Sequence, residues 1–265
     1  MYDLAALEVA LAGTLYAGKL HFAHATGSTN SDAMTAARSG APHGSVFFAD
    51  EQTAGRGRGD HAWHSAAAQG LYVSIVLRLP LPSSHMPMLP LAAGLAAAAA
   101  VRTATGLEVD LRWPNDVLIG PRKTGGILVE SQSDRGHLSF AVVGIGINVH
   151  QQSFAPDLAT PATSLDLESG RWTDRQPLLL LLLESLARET QTLLDPAAVR
   201  SIPARVAQSS TWISNRVVEV HGPQACTGIT DGLDEHGFLL VRTPAGIVQI
   251  QTGGIRDIAP NRSGS

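Results

Sequence analysis

The chain of 265 residues has one cysteine, Cys226. That excludes an internal disulfide framework and fits a reducing cytoplasm. Charge is also sparse, at 16% of residues with a formal net charge of −4. A chain without a basic excess is poorly suited to coating nucleic acid. Long apolar runs are missing. The longest, Met86 to Val101, is broken by Pro87 and Pro90 and is mostly alanine. It falls short of the roughly 18 strongly apolar residues a membrane span needs. Asp3 and Glu8 lie among alanines and leucines at the N-terminus, where a secretory signal is therefore not expected.

Several catalytic signatures are absent as well. Arg122-Lys123-Thr124 has a lysine but not the preceding glycines of a Walker sequence. Gly55, Gly57 and Gly59 miss the dinucleotide fingerprint because the third glycine comes one residue early. No Gly-x-Ser-x-Gly elbow marks a serine hydrolase. His21/His24 and His61/His64 share a helical spacing, but no cysteine or carboxylate framework surrounds them. Solvated or core histidines are the plainer reading.

What is present centres on Gln52-Thr53-Ala54-Gly55-Arg56-Gly57-Arg58-Gly59-Asp60-His61-Ala62-Trp63. Its glycines allow positive φ and close approach to a bound group. Arg56 and Arg58 offer forked donors to phosphate or carboxylate oxygens, and Trp63 adds a flat apolar surface. Such a loop suits folding over an anion and excluding water.

With 44% apolar residues, the chain is long enough for one large core and a small appended domain. Helical spacing is read over 3–17, and a strand over 20–24. Thr26-Gly27-Ser28-Thr29-Asn30 then leads into a helix capped by Asn30 or Ser31. This is either an ordinary capping turn or a site for a carbonyl, ureido or carboxylate group. Strands follow at 45–49 and 71–79, then an alanine-rich helix over 91–105 with Gly94 as a close-packing point and Gly106 as its stop.

The next strand, 108–113, closes on Pro114-Asn115-Asp116. Lys123 is expected between two β segments, with Gly125-Gly126 beyond it admitting a ligand. It reads either as a surface lysine or as a point charge aimed at phosphate. Asp134-Arg135-Gly136 is a hairpin turn into a strand over 138–149, where Gly144 and Gly146 mark close approach of a ligand or neighbouring element. A Pro/Ser/Thr/Asp-rich loop spans 150–173. Asp174 caps a leucine-rich helix to about Leu194. Short strands after residue 210 indicate a small β-barrel, followed by a polar tail at Asn261–Ser265.

Five blocks carry a resemblance. Gly27-Ser28-Thr29-Asn30, the Gln52–Arg58 run with Trp63, Arg112-Trp113-Pro114-Asn115-Asp116, Lys123-x-Gly-Gly-Ile-Leu-Val-Glu130 and Gly144-x-Gly-Ile-Asn148 occur in order. Together they resemble biotin protein ligase. The resemblance implies an α/β (α+β) fold: a mixed sheet flanked by helices, like class II aminoacyl-tRNA synthetases, then an SH3-like barrel. The implied division is a catalytic domain over 1–210 and the barrel with its tail over 211–265.

It also implies two half-reactions, biotin with ATP to biotinyl-5′-AMP and pyrophosphate, then acyl transfer to a lysine of a biotin carboxyl carrier domain. Carried over by position, Ser28, Thr29, Asn30, Gln52, Gly55, Arg56, Gly57, Arg58, Lys123 and Gly126 would bind biotin. Trp63, Asn115, Asp116, Lys123 and Asn148 would bind ATP or the adenylate. Lys123, Arg56 and Arg58 would serve catalysis, with Lys123 at the chemical step. Mg²⁺ would be held mainly through ATP, with Asp116 as the protein's candidate contact.

Two departures stand out: Arg112 where the family often has lysine, and a loop after Arg58 that is less basic than in many relatives. About 25 residues precede Ser28, which suggests a monofunctional cytoplasmic ligase that binds neither DNA nor membrane, with a homodimer left open. The alternatives are a lipoate or octanoate ligase or transferase of the same fold, a nucleic-acid binder using the arginine-glycine loop, and a ligand sensor without catalysis. Asp50, Glu51 and Asp60 leave that loop without a net basic charge, which disfavours nucleic acid.

Overall fold

The computed structural model describes residues 2–258, apart from Asp60 and Gly136. The polar tail and part of the hairpin turn expected at Asp134–Gly136 therefore lie outside the described residues. Helix α1 is Leu4–Ala10, opened by Asp3, whose carboxylate accepts from the Ala6 amide at 3.0 Å. It is shorter than expected, because Leu11 already leaves helical geometry and Gly13 and Gly18 take positive φ. Strand β1 (Leu20–Thr26) leads to α2 (Thr29–Arg38), then β2 (Val46–Gln52) and β3 (Gly70–Leu77). Helix α3 (Met88–Thr105) starts a turn earlier than its apolar spacing suggests and stops at Gly106, whose φ is 75°. A Cβ on Gly94 would meet Leu111 at 3.7 Å, an ordinary contact, so that position is not the tight point expected.

Strands β4 (Asp110–Arg112), β5 (Asp116–Ile119), β6 (Arg122–Asp134) and β7 (His137–Asn148) follow. Lys123 thus lies inside β6, not between two strands. Its N–H and C=O pair with Pro161 O and Thr163 N at 2.8 and 2.9 Å, which extends the strand. Helices α4 (Leu165–Ser169), α5 (Arg175–Leu194) and α6 (Ile202–Gln208) come next. Asp174 caps α5 as expected, its carboxylate accepting from the Gln176 amide at 2.9 Å.

The main sheet has seven strands in the order β1-β2-β3-β7-β6-β5-β4, with β1 parallel to β2 and the other pairs antiparallel. One face carries α3 and α5 packed on each other. Leu178, Leu179, Leu182 and Leu183 of α5 are fully buried there, beside Val143, Ile145 and Ile147 of β7. By length and composition α3 would qualify as a membrane span, but 72% of it is buried inside the fold, as a core helix is. The other face carries α2, whose Ala33, Met34 and Ala37 pack on Val76, Phe140 and Val142.

Side chains alternate across a strand, so β7 presents Phe140, Val142, Gly144, Gly146 and Asn148 to the α2 face in turn. The first two are covered by α2. The glycines beyond them open a cleft.

The C-terminal strands β8 (Ser214–His221), β9 (Cys226–Leu233), β10 (Leu239–Thr243), β11 (Gly246–Ile250) and β12 (Gly254–Asp257) form an antiparallel sheet in the order β11-β10-β9-β8-β12. The outer strands β11 and β12 do not pair among the described residues, so the expected barrel is an open five-stranded sheet. It docks beside β4. Trp113 Nε1 donates to Gly237 O at 3.1 Å, Leu111 N donates to Ser209 O at 2.9 Å, and Trp212 is flanked by the guanidinium groups of Arg112 and Arg216.

Candidate active site

A cleft of about 740 Å³ lies on the α2 face and is lined from both sheets. Its first wall is the start of α2. The helix begins at Thr29 with Ser28 as N-cap, two residues before the expected Asn30 and three before Ser31. Ser28 is buried, yet its hydroxyl makes no capping bond. Thr29 donates to Gln52 Oε1 through N–H and Oγ at 2.9 and 3.0 Å, and its hydroxyl also meets Ser74 Oγ at 2.8 Å. Gln52 Nε2 goes to Ser65 Oγ at 2.8 Å, so its amide is fixed from both ends. Asn30 Nδ2 donates to Glu130 Oε2 at 2.6 Å, and the same oxygen takes Arg56 Nη2 at 2.5 Å.

The glycine-arginine loop folds as a small hairpin. Gly57 N donates to His61 O at 2.7 Å and Trp63 N to Gly55 O at 2.8 Å. Gly55 does not itself line the cleft. A Cβ there would lie 2.8 Å from Ser65 Oγ, so the glycine serves the hairpin's closeness. Arg58 turns away from the α2 wall. Its guanidinium donates to Thr252 Oγ at 2.8 Å and to the Gly253 carbonyl, both between β11 and β12. Burial there pushes its pKa down from the usual arginine value, and the Asp116 carboxylate opposes that.

The floor is one cross-strand row. Tyr72, Gly146, Gly126, Asp116 and Arg112 are successive register partners on β3, β7, β6, β5 and β4. The two central glycines leave a trough that Trp63 occupies. A Cβ on Gly146 would lie 2.5 Å from Trp63 Nε1, and one on Gly126 would lie 3.2 Å from Trp63 Cζ3. Lys123 Nζ sits 5.5 Å from the centroid of that ring and 2.5 Å from Asp116 Oδ1. Arg112 reaches Asp116 Oδ2 with Nε at 3.0 Å and Nη2 at 2.5 Å, and Thr160 Oγ at 2.9 Å. Burial pushes the Asp116 carboxyl up, but the Lys123 ammonium and the Arg112 guanidinium outweigh it and hold it below the usual carboxylate range. Both Asp116 oxygens are engaged in these pairs, and among the described residues no three His, Cys, Asp or Glu side chains cluster as metal ligands.

Asn115 Nδ2 donates to Ile127 O at 2.8 Å and Asn148 Nδ2 to Thr163 O at 3.0 Å. Every site residue expected from the sequence except Gly55 lines the cleft. Sequence reasoning missed Tyr72, Ser74, Gln151 and the segments His221–Pro223 and Thr252–Arg256. Ser74 alone carried a signal, as a hydroxyl inside the otherwise apolar run Val73 to Leu77.

The cleft gathers Lys123, Arg56 and Arg58 around a glycine-floored trough, each cation already held by a protein acceptor. Residues 25–148 match the Biotin/lipoate A/B protein ligase family. The chain is 36% identical over 238 residues to the biotin–[acetyl-CoA-carboxylase] ligase of Mycobacterium tuberculosis, covering 87% of this chain and 85% of that protein. It is 35% identical over 237 residues to the bifunctional ligase/repressor BirA of Bacillus subtilis, covering 86% of this chain and 70% of BirA. The structure resembles the Aquifex aeolicus biotin protein ligase in complex with biotin and ATP, with TM-score 0.77, 28% identity and coverage of 90% and 98%. The chain belongs to the biotin protein ligase family.

Proposed function

We propose that the chain joins biotin to a carrier lysine in two steps at this cleft. A biotin carboxylate oxygen attacks the α-phosphorus of ATP, the bond to the β-phosphate oxygen breaks, and pyrophosphate leaves. The uncharged ε-amine of a lysine on a biotin carboxyl carrier domain then attacks the acyl carbon of biotinyl-5′-AMP. An amide forms, AMP leaves, and the amine gives up a proton.

The observation that carries this is the Lys123 ammonium, held by Asp116 and lying against the indole above the Gly126–Gly146 trough. A fixed cation at that point faces charge developing on the phosphorus centre with little reorganisation. Ser28, Thr29 and Gln52 form the wall for the biotin ring system. Arg56 and Gly57 cover the acyl end, and Trp63, Asn115 and Asn148 line the nucleotide end. Covering the cleft keeps water from an acyl-adenylate that hydrolyses readily. Mg²⁺ would be held mainly by ATP oxygens, with Asp116, paired here with Arg112 and Lys123, as the protein's candidate contact. Residues 1–210 act as the catalytic unit, with 211–265 appended.

The test is incubation with ATP, Mg²⁺, biotin and a carrier domain, read by intact mass. One added biotin on the carrier is expected, and an unchanged mass would sink the reading. Lys123→Ala should slow biotin-dependent pyrophosphate exchange by about 10²-fold or more. Unchanged turnover would remove the role given to Lys123.

A further inference from the structure

Arg112 grips the charged centre from β4, and its own orientation is set from outside the main sheet. Its side chain is 8% exposed. Nε and Nη2 both go to Asp116 Oδ2, at 3.0 and 2.5 Å, which leaves Oδ1 of that carboxylate to Lys123 Nζ at 2.5 Å. Dividing the two oxygens this way needs the guanidinium plane in one orientation, and arginine reaches it over several rotatable bonds. Nη2 also donates to Thr160 Oγ at 2.9 Å, but one hydroxyl fixes an atom and not a plane. The flat surface beside it is the indole of Trp212, with Arg112 Cζ 5.1 Å from the ring centroid. Guanidinium groups are attracted to such a face.

Trp212 is buried and is fastened to the strand that carries Arg112. Leu111 N donates to Ser209 O at 2.9 Å, and Ser210 Oγ donates to Leu111 O. Thr211 gives its N–H and hydroxyl to the Asp110 carboxylate at 2.8 and 2.6 Å. Trp212 N in turn donates to Ser210 Oγ at 3.1 Å, so residues 209–212 run along β4 as a splint. A second guanidinium, that of Arg216, has its Cζ 3.6 Å from the same ring. It has its own carboxylate, Asp257, on Nε and Nη2 at 2.8 and 2.7 Å, and so does not compete with Arg112 for Asp116.

We propose that Trp212 is a positioning residue for the first half-reaction: its ring orients Arg112, Arg112 orients Asp116, and Asp116 holds the Lys123 ammonium in place. This rests on the biotin-ligase reading given above. Trp212 does not line the cleft, so it acts only through Arg112. A lysine at position 112 would be a point charge with no plane to orient. The demand on Trp212 therefore follows from the arginine, and the two residues are coupled. Simple support of the C-terminal sheet by Trp212 carries no such coupling.

The test is a double-mutant cycle in biotin-dependent pyrophosphate exchange, with Trp212→Leu and Arg112→Lys made singly and together. Trp212→Leu should lower kcat about tenfold, with the KM for biotin unchanged. In the Arg112→Lys background the same change should cost less than about twofold. Trp212→Phe keeps a flat face and should cost only about twofold to threefold, again vanishing beside Arg112→Lys. Equal losses in both backgrounds would mean that Trp212 only supports the C-terminal sheet, and would overturn the assignment. A loss confined to the KM for biotin, or a Phe variant as slow as the Leu one, would do the same. Should Trp212→Leu not fold, the Phe cycle decides. If the wild-type protein shows no biotin-dependent exchange, the ligase reading fails, and lysine labelling then decides Trp212 separately. The chain's only other lysine is Lys19, whose Nζ donates to Leu15 O and His43 O at 2.7 and 2.9 Å. Limited acetylation read by mass spectrometry should label Lys123 several-fold faster, relative to Lys19, in Trp212→Leu than in wild type, and less so in Trp212→Phe. An unchanged ratio in both variants ends the assignment.

Discussion

Gly146 shows how a missing side chain places a present one. Trp63 lies where a Cβ would stand, with Nε1 and Cε2 at 2.5 and 2.7 Å from that position. Gly146→Ala must therefore move the indole, and overpacking of this kind costs about 1–3 kcal/mol. Urea unfolding should show the loss as a lower midpoint at an unchanged m value, and an unchanged midpoint would mean the indole slides aside freely. Close approach at Gly144 and Gly146 was legible in the sequence, because glycine inside a strand demands a reason. The sequence left open whether a ligand or the protein itself approaches. Asn30 answers it for Gly144 and Trp63 for Gly146. Ser28 was legible as part of a hydroxyl-rich turn, but the cap position was not. Ser28, Asn30 and Ser31 are all good N-cap residues, and only the backbone geometry chooses between them.

Among the elements, the row through β4, β5 and β6 holds the charged centre. The Asp116 carboxyl is held below its ordinary pKa by Lys123 and Arg112. A group with a lowered folded-state pKa stabilises fully above its unfolded value and loses that contribution as pH falls through the folded one. Asp116→Asn should therefore cost on the order of 3 kcal/mol near pH 7. The difference from wild type should shrink below about pH 4 and vanish under stronger acid. Equilibrium unfolding of both proteins across pH checks this, and a gap independent of pH would refute it. The long strands and α5 could be read from their alternation and leucine spacing. Short elements could not. Helix α4, with 5 residues in a polar loop, and β12, with 4 that start at the second of two glycines, carry too few positions for any period to register. The Lys123–Asp116 pair was equally hidden, since it depends on strand register rather than on sequence spacing.

At the scale of the molecule, the two sheets share the cleft. Arg58 spans them, anchored on Thr252 and Gly253 between β11 and β12. Gly253 has φ 129° and sits against the His221 carbonyl, so a side chain there is both strained and obstructed. Gly253→Ala should shift the carbonyl that Arg58 uses and free the arginine. Trypsin should then cut after Arg58 several-fold faster than in wild type. An equal cleavage rate would mean the C-terminal sheet does not restrain the loop. The anion-binding chemistry of Arg58 was legible from its residue type, but nothing local could reveal a partner 194 residues away.

Asp116, standing between Arg112 and Lys123, has a consequence for how the enzyme meets ordinary salt. Two cations and one carboxylate leave a single net positive charge on the floor of the cleft. Small anions therefore face a centre already largely satisfied, and chloride or free phosphate must break an existing ion pair to bind closely. A ligand carrying several oxygens in one fixed arrangement offsets that loss at more than one point. The resting protein should thus lose little activity as ionic strength rises through the physiological range.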